Sequence, residues 1–137
     1  MKQYPRFDDW KQRLDAYVDA NRDVPFDWQG QNCSTFAAGW VTECTGRVIE
    51  VPVTKTALSA CKAMKSIGGL FADACRQLGD SIPGLMAQAG DVVLVTVPYE
   101  NEQRKAFGVC LGAMIAAQGI AGLVMLPITE AEAAWRV

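Results

Sequence analysis

Histidine is absent from this chain of 137 residues. That absence removes the commonest general base, the commonest metal ligand and the one side chain that ordinarily titrates near neutral pH. Zinc and iron–sulfur sites lose further support because the five cysteines, at 33, 44, 61, 75 and 110, form no C-x-x-C pair. Their odd number also argues against a disulfide framework. Cys44, Cys61, Cys75 and Cys110 read as small buried hydrophobes in a chain folded under reducing conditions. No cofactor and no metal are expected.

Blocks of basic residues are lacking too, and the formal charge is −2. With no positive field, nucleic acid is not expected as a partner. The opening "MKQYPRFDDWKQRLDAYVD" lacks the unbroken apolar core of a signal peptide, so export by that route is not indicated. What is present is half hydrophobic and one-fifth charged, the balance of a globular chain. Its length suits one domain, residues 1–137, with a core of its own.

Charge is also missing from Ala106 to Ile128, "AFGVCLGAMIAAQGIAGLVMLPI". That run is long enough to span a bilayer, and Gly108 with Gly112 makes a G-x-x-x-G pair. However, Gly108, Gly112, Gly119, Gly122 and Pro127 cut it into pieces of strand length. "FGVCL", "AMIAA" and "LVMLPI" read as successive buried strands, with no membrane span.

Upstream the period is helical. Phe7, Trp10, Leu14, Tyr17 and Val18 define an amphipathic helix over Asp8 to Asn21. A second helix follows Cys33, with Phe36, Ala37, Trp40 and Val41 on its apolar side and Gly46 as its stop. "RVIEVPV" is short and extended. Thr54 can cap a third helix, "KTALSACKAMKSI", and "LFADACRQLGD" is a fourth. At Gly90 the period changes: "GDVVLVTV" is a strand, "PYENEQRK" a charged hairpin loop, and the three apolar strands follow. Thr129, Glu130 and Glu132 open a last short helix whose Trp135 can fold back onto the body. Helices first and a meander afterwards predict an α+β fold.

Cys33 is the candidate nucleophile. It stands just before an apolar helix, and a helix N-terminus favours a thiolate. Such a thiol works beside a base held by a third group.

The surrounding residues are Pro25-Phe26-Asp27-Trp28-Gln29-Gly30, then Asn32-Cys33-Ser34-Thr35, then Gly90-Asp91-Val92-Val93, then Ala106-Phe107-Gly108-Val109-Cys110-Leu111-Gly112. In this order they resemble the NlpC-type murein peptidases of the papain-like superfamily. The whole chain, with its C-terminal "AAWRV", resembles the small NlpC-like proteins that long-tailed phages encode among their tail-tip genes. The resemblance implies a papain-like domain, its N-terminal helices packed on a C-terminal antiparallel sheet, with Cys33 at the nucleophile position. It also implies where the family's other functional residues fall. The catalytic histidine falls on Ala106, the tyrosine assisting the oxyanion on Phe26, the aspartate before the nucleophile on Asn32, and the third triad residue on Gln118.

These departures decide the chemistry. A free thiol has a pKa of about 8.5, so only a few per cent is thiolate at neutral pH. Ala106 can neither take a proton nor return one to a leaving amine. Lys105 would need its pKa lowered by several units from about 10.4, and "NEQRKAF" reads as a solvated loop. Cys33 is therefore read as a relic thiol beneath an old cleft, with a surviving nucleophile served by an unrecognised base as the alternative. Phe26, Trp28 and Trp40 read as wall and core of the same region.

Three functions compete. The leading one is a pseudoenzyme that serves as a structural part of a phage tail tip, a virion protein assembled in the host cytoplasm and docked on hub proteins. Its candidate docking surfaces are the charged 98–105 loop, the old cleft and the C-terminal segment with Trp135. The second is an active cysteine peptidase cutting peptidoglycan stem peptides through Cys33. The third is a membrane protein anchored through 106–128.

Overall fold

The structure is a computed structural model that describes residues 5–28, 30–51, 56, 58, 62, 69–99 and 102–137. Helix α1, Trp10–Asn21, buries Leu14 and Val18, four apart on one face. Helix α2, Cys33–Thr45, buries Phe36, Ala37, Trp40, Val41 and Cys44, and Gly46 ends it in the left-handed region at φ 78°. Helix α3 covers Leu70–Leu78. The helix expected over residues 55–67, and its cap at Thr54, lie largely outside the described residues. Residues 47–51 form neither helix nor strand.

Six strands follow: β1 Ile82–Pro83, β2 Val92–Tyr99, β3 Glu102–Cys110, β4 Met114–Gln118, β5 Leu123–Pro127 and β6 Ala133–Trp135. They make one sheet in the order β1-β6-β2-β3-β4-β5, and every pairing is antiparallel. The chain is thus α+β, with helices first and an antiparallel sheet afterwards. The uncharged run 106–128 supplies the end of β3, all of β4 and all of β5. Among the described residues no helix is long and apolar enough to cross a membrane.

Two local expectations are corrected. Of residues 98–105, those described lie in strands rather than in a loop: β2 runs through Tyr99 and β3 starts at Glu102, with Pro98 opposite Gln103. Cross-strand pairing extends as far as Tyr99 opposite Glu102 despite the charge. The last helix is also absent: Ile128–Glu130 makes only a 3-10 turn, and Ala133–Trp135 becomes β6. Insertion between β1 and β2 gives Ala133 and Ala134 a ladder on both sides and Trp135 one on β2, which outweighs a weak local helix signal.

The sheet curls. In a flat sheet β5 and β6 would stand four strand spacings apart, roughly 19 Å. The link 128–132 spends three residues on a 3-10 turn rising only about 2 Å each. Residues from both ends of the sheet share one cluster, Leu126 of β5 with Ala134 of β6, and the link ends against β2, where the Glu132 N–H donates to the Leu94 carbonyl at 2.8 Å. Val93, Val95, Ala106, Cys110, Ile115, Ala117 and Ala134 fill the inner face. Their small size suits a tight curl, and Gly108 tightens it further: a Cβ there would lie 2.8 Å from Ile115 Cγ2. The outer face carries Val92, Leu94, Phe107, Val109, Ala116 and Trp135, covered by the three helices.

Candidate functional site

Cys33 is the first residue of α2, and Asn32 explains why the helix starts there. The Asn32 Oδ1 accepts from the backbone N–H groups of Ser34 and Thr35, both at 3.0 Å. Reciprocally, the Asn32 N–H donates to Thr35 Oγ1 at 2.8 Å. This is a complete capping box, in which the side chain replaces hydrogen bonds that the first turn lacks. Asn32 is buried and neutral. It therefore provides no carboxylate to hold a positive charge near the thiol.

The thiol packs against the inner cluster of the sheet, which contains Ala106. Burial pushes its pKa up, and this outweighs hydrogen bonds from the Phe107 backbone and from Ser34 that favour the thiolate. The Phe107 contact has a topological cause. β3 pairs with β4 only over Gly108–Cys110, the last partner being Ala117. One step further, Phe107 and Gln118 are unpaired with each other, which leaves the Phe107 backbone free to favour the thiolate.

Gln118 is fully buried. Its Nε2 donates to the Val24 carbonyl at 2.8 Å and to that of Gly119 at 2.9 Å, while Oε1 has no partner among the described residues. Gln118 thereby pins the segment before Phe26 onto the β4–β5 turn. The Phe26 N–H donates to the Ile120 carbonyl at 2.9 Å, and its ring meets Trp28 edge-on at a centroid distance of 4.6 Å. The structure thus brings Cys33 to Ala106–Phe107, and Phe26 to the turn beside Gln118. The two pairs flank the point where β3 and β4 separate. Spacing in the sequence carried no signal for the Phe107 amide, which depends on where that ladder stops.

Lys105 faces away from this place. It pairs with Glu132, which also accepts from Thr96 Oγ1 at 2.6 Å. The hydrogen bond from Lys105, then that from Thr96, holds the Glu132 carboxyl below its ordinary pKa. Lys105 is a largely exposed charge on a strand, paired with Glu132.

Among the described residues, no group of three or more His, Cys, Asp or Glu could hold a metal ion. A groove between α2 and α3 is floored by Val41, Ala74, Val92 and Phe107, with Ser34, Asp73 and Gln77 on its rim. Its volume is about 30 Å³, whereas small-molecule sites run to several hundred.

A family model described as "Domain of unknown function (DUF6950)" matches residues 5–137. The chain belongs to that family. No curated protein and no solved structure matches it. The DUF6950 match spans both the helices and the sheet, so it includes Cys33, Ala106, Phe26 and Gln118 alike.

Proposed function

We propose that this DUF6950 chain is a papain-like, NlpC-type domain without peptidase activity, serving as a structural and assembly component of a long-tailed phage tail tip. Its partners are tail hub proteins, its place is the virion, and it is assembled in the host cytoplasm. One observation carries the loss of activity: a half-buried thiol at the nucleophile position, packed against the cluster that contains Ala106, with its pKa raised. A cysteine hydrolase needs the thiolate and an acid to protonate the leaving amine. Here burial disfavours the first, and Ala106 cannot supply the second.

The tail-tip role rests on the order of the motifs and on the C-terminal "AAWRV". Its test compares phage carrying Cys33→Ala with wild type for infectivity and particle morphology, alongside purified protein incubated with peptidoglycan. The expected result is normal particles, full infectivity and no turnover. Hydrolysis that disappears in Cys33→Ser, with normal particles that fail to infect, would establish the peptidase instead. Normal particles formed without the protein would overturn the assembly role.

A further inference from the structure

We draw no further inference here: the strongest candidate, the apolar groove between α2 and α3 floored by Val41, Ala74, Val92 and Phe107, carries nothing, because nothing in the structure shows what covers it.

Discussion

Arg6 and Asp91 form an ion pair, with Nη2 3.0 Å from Oδ1, that joins the start of the described chain to the start of β2. The Asp91 carboxylate also accepts from the Val137 N–H at 3.2 Å and the Gln88 N–H at 2.9 Å. Arg6 in turn donates to the carbonyls of Val137 and Ala89, at 2.7 and 2.9 Å. The aspartate of the Gly90-Asp91 motif is therefore a structural hub. Its neighbour helps, because the Gly90 carbonyl accepts from Trp40 Nε1 at 2.8 Å and so ties α2 to the same corner.

Removing Asp91 should be costly. The side chain of Asp91 is 2% exposed and that of Arg6 18%. Asp91→Ala leaves a partly buried guanidinium and two amides without their acceptor, which typically costs about 3–5 kcal/mol. Arg6→Ala should cost less, because water can reach part of that site. Urea unfolding of both variants checks the order, and a near-wild-type midpoint for Asp91→Ala would contradict the hub.

Trp135 is a core residue: of its two readings, a docking residue or an anchor folding back onto the body, its burial agrees with the anchor. It is fully buried in β6, edge-on to Phe71 and Phe107. Trp135→Ala should destabilise the isolated protein by about 3–5 kcal/mol. Thermal melting of the purified variant measures this before any particle assay. A stable Trp135→Ala protein that failed only in assembly would return the residue to an interface.

The Cys33 thiol should be sluggish. Its raised pKa keeps it protonated at pH 7, so alkylation by iodoacetamide should be slower than for free cysteine and should speed up on unfolding. The sign of the linked stability follows. A group whose folded pKa is raised contributes fully below its unfolded pKa, about 8.5 for a thiol, and the contribution is lost as pH rises through the folded value. Burial raises Cys44 and Cys110 too, and Tyr17 is pushed up to about 12 by burial first and Glu43 second. Stability should therefore fall on the alkaline side, with the tyrosine contribution lost from about pH 10 upward. Cys33→Ser should flatten the earlier part of that fall without abolishing it. A pH-independent melting temperature from 8 to 11 would contradict the assignment.

Restoring the missing histidine should not restore activity. Ala106 is 3% exposed and faces the small side chains of the inner cluster. Ala106→His overfills that space, at about 1–3 kcal/mol. Combined with Phe26→Tyr, it should still give no release of labelled peptidoglycan fragments. Measurable release by a folded double variant would show that the cleft can reopen.

Gly39 exists for Tyr17. A Cβ at Gly39 would lie 2.4 Å from the Tyr17 hydroxyl, which donates to the Phe36 carbonyl at 2.7 Å. Tyr17→Phe should cost about 1 kcal/mol, the worth of one hydrogen bond. Gly39→Ala should cost more, since it displaces the ring from α2. In the double variant the two losses should be less than additive, as expected for groups in contact. Strict additivity in denaturant unfolding would contradict a shared site.

Much of the fold was legible because its signals are local. Leu14 and Val18 are spaced for a helix, and Gly46 for its left-handed stop, whereas the capping box of Asn32 and Thr35 emerged only from the structure. Gly112, Gly119 and Gly122 fell in the turns that bound β4 and β5. The misreadings share a cause. "PYENEQRK" looked like a loop because its residues are polar, yet the ladder across β2 and β3 supplies every second backbone group with a partner. Glu130 and Glu132 looked like the start of a helix until β1 and β2 offered Ala133–Trp135 a place between them.

By itself the sequence determined the helix-then-sheet order and the lack of any imidazole base, because periodicity and composition need no partner to be read. Tertiary structure alone decided the rest. Whether Cys33 is activated depends on the balance between burial and the Phe107 amide, and that balance exists only because the β3–β4 ladder stops at Gly108. Whether Trp135 reaches outward or inward depends on β6 joining the sheet between β1 and β2, which sets its ring against Phe71 of α3. Both are set by contacts between residues far apart in the chain, and no local pattern encodes them.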